Sequence, residues 1–256
     1  MKIIVSIKEV PVRDSQLRIS ADGRWIEDGD LSYEMNEPDA YALEEALQLK
    51  ERHGGEVIAL CAGPSGASRT LREALAKGAD RALHIEDEHI SSWDTLGLAR
   101  LLAKAAGPEK PDLILTGLQS DDLGYGQTGV VLAEILGLPH ATIIMAAEVL
   151  DGSIRVKREL ESGWFQNIEM TLPAVLTIQS GINKVRYATL MGIKKAKSKE
   201  LKALAAGDLG VAASATATIE RIYSPQKVKQ TQLLTGSARE AAAKLIEKLR
   251  FEVRVL

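Results

Sequence analysis

The sequence predicts an α/β protein: a parallel sheet covered by helices, a few added antiparallel strands, and an extended C-terminal arm. Three observations predict it. Short, nearly continuous apolar runs recur through the first half, the pattern of strands buried on both faces. Amphipathic helical periods separate them, which implies βαβ crossovers. Beyond about residue 141 the chain turns to short alternating runs with glycine turns, and then to a basic, irregular stretch.

The first strand is Ile3–Ile7. Val57–Leu60, Ala82–Ile85 and Leu113–Leu115 repeat its signal. Between the first two, Asp39 to Lys50 places Ala42, Leu43, Ala46 and Leu47 on one stripe, a helix opening after Asn36 and Pro38. A second helix reads from Ala67 to Ala76 and stops at Gly78. A third runs from about Asp94 to Ala106, before Gly107-Pro108. A fourth starts near Thr128 and stops at Gly137, with Pro139 just beyond. Ile154–Arg158, Phe165–Thr171 and Ala174–Gln179 read as antiparallel strands extending or covering the sheet. A final helix spans Ala238 to Leu249. Its surroundings offer little core, so the tail is expected to need a partner. The expected division is 1–182 for the α/β domain, 183–210 for a recognition loop and linker, and 211–256 for the arm.

Composition excludes several functions. The 256 residues carry 32 Lys+Arg against 35 Asp+Glu, a net charge of −3. Such a balance lacks the basic face needed to displace counterions from nucleic acid. The single cysteine, Cys61, excludes an intramolecular disulfide or a CxxC zinc site and suits a reducing compartment. Four scattered histidines form no HExxH-type metal site. No apolar run approaches the ~20 residues of a membrane span. The expectation is a cytoplasmic protein with no membrane insertion.

In a parallel sheet ligands bind beyond the carboxyl ends of the strands. That selects Ser6–Val10, Cys61–Gly66 and the glycine-rich run Thr116–Gly129. The last follows a strand and opens a helix. Glycines allow close approach of backbone N–H groups, and a helix N-terminus favours phosphate. Gln127 and Thr128 add side-chain donors. The run is neither a Walker A loop nor GxGxxG, and an ordinary βα loop has the same local pattern. Asp121 and Asp122 read equally well as helix caps. Asn36-Glu37-Pro38-Asp39 reads as an N-cap with a proline turn. Cys61 reads as a buried small hydrophobe, with no histidine nearby in sequence to activate it. No catalytic constellation emerges, so any redox chemistry must belong to a cofactor.

Lys184, Arg186, Lys194, Lys195, Lys197, Lys199 and Lys202 face only Glu200 in their stretch. An acidic protein partner fits them better than a nucleic acid. Leu190-Met191-Gly192-Ile193 in their midst resembles a small docking knob, with burial of Leu190 in the core as the alternative.

The chain resembles the beta (small) subunit family of electron transfer flavoproteins along almost its whole length. The resemblance lies in Lys2–Lys8, Asn36–Lys50, Ala74–Arg81, Asp112–Leu136, Arg158–Gly163 and above all Leu172–Lys197. It implies a Rossmann-like, adenine-nucleotide-binding fold holding AMP as a structural ligand. It also implies a heterodimer whose alpha subunit carries most contacts to a redox-active FAD. The subunit would have no catalytic residues of its own. Carried over by position, the AMP contacts are Ser6, Asn36, Glu37, Pro38, Asp39, Ala62, Gly117, Gln119, Ser120, Asp121, Asp122, Gly124, Tyr125, Gly126, Gln127 and Thr128. A flavin dehydrogenase would dock on 186–199 through Arg186, Tyr187, Leu190, Met191, Ile193, Lys194, Lys195 and Lys197. A quinone oxidoreductase is the implied acceptor.

Two departures stand out. Gly126 replaces the asparagine of common members, and Arg13 stands near the position of a flavin-facing tyrosine. The loop and the run Gln179–Asn183 are closer to the methylotroph type. A bifurcating branch of the family puts a second FAD in the AMP slot and takes electrons from NADH. A lone nucleotide-binding protein resembling universal stress proteins is the third alternative.

Overall fold

The computed structural model describes residues 1–212, 215–225 and 231–255. Residues 213–214, 226–230 and 256 of the expected arm lie outside the described residues. In chain order the strands are β1 (Lys2–Ser6), β2 (Glu9–Pro11), β3 (Tyr33–Met35), β4 (Glu56–Gly63), β5 (Arg81–Glu86), β6 (Leu113–Gly117), β7 (His140–Val149), β8 (Ser153–Glu159), β9 (Phe165–Thr171), β10 (Ala174–Ile178) and β11 (Leu201–Ala205). The helices are α1 (Glu37–His53), α2 (Ser68–Lys77), α3 (Thr95–Ala106), α4 (Thr128–Leu136), α5 (Leu190–Ala196) and α6 (Ala238–Lys248).

Nine strands form one sheet in the order β11-β5-β4-β1-β6-β10-β7-β8-β9. The six pairings from β11 to β7 are parallel, and β8 and β9 add antiparallel at one edge. β2 and β3 make a separate small antiparallel sheet. Alternate strand residues face opposite ways, which divides the core in two. Ile3, Val5, Val57, Ala59, Leu113 and Leu115 pack with Leu43, Leu47, Leu71 and Leu75 of α1 and α2. Ile4, Ile58, Leu60, Ile85 and Ile114 pack with Leu101, Leu102 and Leu132 of α3 and α4. Both faces are covered, so the continuous apolar runs have their physical reason.

The helix ends follow their sequence signals. Glu37 and Asp39 occupy the first turn of α1 and Lys50, Arg52 and His53 its last, which complements the helix dipole. Asp94 caps α3 by accepting from Gly97 N at 2.8 Å. Gly137, with φ of 65°, ends α4 in the left-handed region.

Three expectations are corrected. β10 is not an antiparallel addition; it lies between β6 and β7, parallel to both and fully buried. Its unbroken Ala-Val-Leu-Thr-Ile run is what two covered faces require. β7 was not foreseen as a strand. Its alternation is interrupted near Ile143, which has φ of 60°, and the pairing registers shift there. The stretch after Asn183 is less irregular than expected: it holds α5, and β11 pairs in parallel with β5 as a sheet edge. Among the described residues, no helix is long and apolar enough to cross a membrane.

Candidate functional site

The chain leaves β1 towards β4 on one side and returns through β6 on the other. This switch of direction opens a cleft at the carboxyl ends of these strands. A cavity of about 920 Å³ occupies it. Ser6 from β1, Ala62 from β4 and Thr116 and Gly117 from β6 form its floor, and Gln119, Ser120, Tyr125, Gly126, Gln127 and Thr128 line one wall. Asn36 and Asp39 reach it from below. Glu37, Pro38, Asp121, Asp122 and Gly124 do not line it. Glu37 turns outward to Arg13 at 2.8 Å. Asp121 and Gly124 serve through their backbone N–H groups, which donate to Asn36 Oδ1 and Ser120 O, Asp122 through its carboxylate on Lys8, and Pro38 packs close to Gly117.

Asn36 stands at the N-cap of α1, yet its side chain makes no cap. It crosses to the glycine loop, where Nδ2 donates to Gln119 O at 3.0 Å and Oδ1 accepts from Asp121 N at 2.9 Å. Asp39 accepts from Lys8 N and Gly117 N, both at 2.8 Å, and so joins the ends of β1 and β6. A third tie is the Lys8 ammonium, 2.6 Å from Asp122. Burial works against charge on Asp122, but Lys8, Ser120 and the Leu123 N–H hold its carboxyl below the ordinary range. Burial dominates at Asp39 and pushes it up to about 7, against the two N–H donors.

The close fit explains two glycines. A Cβ on Gly117 would lie 2.4 Å from Asp39 Oδ1 and 2.7 Å from Pro38 Cβ. A Cβ on Gly129 would lie 2.7 Å from Thr116 Oγ1 and from Thr177 Cγ2. Gly124 and Gly126 serve differently, turning the loop with φ of 65° and 62°. The loop delivers the chain to the amino end of α4. No side chain caps that end and no acidic residue sits in its first turn. Its free N–H groups and dipole therefore face the cavity uncompensated, a setting for an anion such as phosphate.

Lys8, within the strand-end run Ser6–Val10 that the sequence selected, also lines the cavity. Sequence reasoning missed Arg24, Trp25, Trp93 and Thr216–Ile219, which line it too. These come from distant turns with no local pattern.

The expected docking segment forms a second cluster. Arg186 is held by Glu44, at 2.7 Å, and Glu51, at 2.6 Å. It anchors the segment to α1. Thr189 caps α5 by accepting from Gly192 N at 3.0 Å. Arg72 donates to Ala196 O and Lys199 O at 2.7 and 2.9 Å, pinning the far end to α2. Leu190 is 82% exposed, which excludes its burial in the core. Tyr187, Met191, Ile193, Lys194, Lys195 and Lys197 are exposed beside it. Cys61 is fully buried, and burial pushes its thiol up to about 12, out of reach of nucleophilic use. No group of three metal-ligating side chains occurs among the described residues.

The family described as electron transfer flavoprotein domain matches residues 24–209. The electron transfer flavoprotein subunit beta of Methylophilus methylotrophus is 37% identical, over 96% of this chain and 97% of that one. The protein of the same name from Bacillus subtilis is also 37% identical, over 95% and 96%. The one from Mus musculus is 34% identical, over 94% and 97%.

Proposed function

Because the chain belongs to the electron transfer flavoprotein family on its beta-subunit side, we propose that it holds AMP in the cleft above β1 and β6 while its partner alpha subunit holds most of an FAD. Its part in electron transfer is that of a carrier subunit. The flavin supplies the redox chemistry, and the residues of this chain bind, orient and dock. The observation that carries the AMP reading is the uncapped amino end of α4, presented by a loop fixed through Asn36, Asp39 and Lys8. Thr128 and Gly129 N–H groups would receive the phosphate, with Gln127 beside them. Ser6 and Ala62 leave room for the nucleoside. A flavin dehydrogenase would dock on 186–199, where Leu190 projects among lysines, and electrons would pass on towards a respiratory acceptor such as a quinone oxidoreductase. The lone, buried cysteine suits action in the cytoplasm.

A second reading rests on size. The cavity, at about 920 Å³, lies near the top of the ~300–1,000 Å³ range of small-ligand clefts. It has room for a second FAD, as in a bifurcating subunit fed by NADH. Denaturing the purified heterodimer and counting released nucleotides separates the two. One FAD and one AMP per dimer is expected. Two FAD and no AMP would replace the first reading by the second.

Leu190→Ala is expected to leave bound flavin unchanged and to slow electron transfer from the dehydrogenase. Its effect on stability should stay within ~0.5 kcal/mol, as for other exposed positions. Stopped-flow flavin reduction measures the transfer, and unchanged rates would remove Leu190 from docking.

A further inference from the structure

Asp94 divides its two carboxylate oxygens between two tasks. Oδ1 accepts from Gly97 N at 2.8 Å and caps α3. Oδ2 accepts from Thr216 Oγ1 at 2.6 Å, from Thr216 N, and from Ala217 N at 3.2 Å. Three donors from the C-terminal arm thus converge on one oxygen. The arm is fastened again a few residues on, where Ile222 N donates to Gly23 O at 2.8 Å. Gly23 belongs to the turn that carries Arg24 and Trp25 into the cavity wall. Between the two fastenings, Thr216–Ile219 face the cavity.

We propose that residues 216–219 of the C-terminal arm form the outer wall of the nucleotide site, and that Asp94 is the positioning residue that holds this wall shut. The inference rests on the AMP reading above and adds to it a control of nucleotide escape. A ligand seated between the α4 amino end and this wall is released faster when the arm lets go of Asp94 or of Gly23, its fastenings among the described residues. The Thr216 hydroxyl first, and then the Gly97 N–H, hold the Asp94 carboxyl well below the ordinary carboxylate range. The latch therefore stays charged through neutral and mildly acid pH.

The split of the two oxygens makes the test specific. Asp94→Asn keeps an acceptor for the cap and turns an NH₂ group towards the three arm donors. Asp94→Ser caps a helix as well as Asp does, and cannot also span to the arm. Thr216→Val removes one hydroxyl bond from an exposed position and leaves α3 untouched. The full-length chain, loaded with labelled AMP, is chased with excess unlabelled AMP. Both Asp94 variants should release label at least about tenfold faster, the scale of losing bonds to a charged acceptor. Thr216→Val should release it about threefold faster, the lower scale of one ordinary hydrogen bond at an exposed position, with the two N–H donors to Asp94 retained. Amide exchange at 216–222 should quicken in parallel. Equal release from wild type and all three variants overturns the wall while AMP binding stands. No uptake of AMP by the wild type overturns the AMP reading, and this inference with it.

Discussion

Asp39 meets two opposed demands. Two backbone N–H groups favour its charged form, and complete burial disfavours it. Its carboxyl, raised to about 7, keeps a proton that the unfolded chain gives up near the ordinary 3.8. Between these values the folded state binds more protons, so the Asp39 contribution to stability falls as pH rises from about 4 to about 7. The expected size is of order a few kcal/mol. Chemical unfolding of wild type and Asp39→Asn across this window measures it. The wild type should lose stability relative to the variant as pH rises, and a constant difference would refute the raised pKa. At this scale the sequence was partly legible. Gly117, Gly126 and Thr128 could be placed because each answers a local need. Gly126 sits at a left-handed position, which glycine and asparagine tolerate best, so glycine in place of the expected asparagine keeps the turn. The ties from Asn36 to Gln119 and Asp121 could not be read, since they join residues far apart in the chain.

Helix α5 shows how an element holds a surface in place. Gly192 in α5 packs so closely on α2 that an added Cβ would lie 2.2 Å from Ala76 O. Gly192→Ala should therefore push α5 off α2 and cost about 1–3 kcal/mol, as overpacking does elsewhere. Urea unfolding measures the loss, and a variant as stable as the wild type would show that α5 shifts freely. Helices α1 to α4 were legible because each carries its own stop or cap. Strand direction was not. Nothing inside Ala174–Ile178 says whether its neighbours run with it or against it, because that depends on β6 and β7. Helix α5 and β11 were hidden in a stretch whose lysines suggested only solvent. The buried residue of α5, Ala196, is too slight a signal.

The molecule as a whole is finished at one end and unfinished at the other. The sheet has two full cores, whereas α6 buries no residue despite a complete capping box between Ser237 and Glu240. Leu245, Ile246 and Phe251 remain exposed. A helix of this length is marginal alone. Its amides, residues 238–248, should exchange fast in the lone chain and at least about tenfold more slowly once the alpha subunit is added, since docking removes the open state. Equally fast exchange in the heterodimer would place the subunit interface elsewhere. The thin core of this arm was visible in composition. Its passage over the cavity was not, because the contact with Asp94 spans more than a hundred residues.

The place of β10 has a consequence for synthesis. Its neighbours β6 and β7 precede it in the chain, and they do not pair with each other. On the ribosome they emerge with facing edges open, and the β8–β9 hairpin must be translated before residues 174–178 arrive to fill the gap. At roughly 5–20 residues per second, that interval lasts about a few seconds. For that time the nascent chain offers two rows of unpaired backbone N–H and C=O groups to any passing strand. Shielding them falls to chaperones or to the ribosome surface until translation supplies the missing strand.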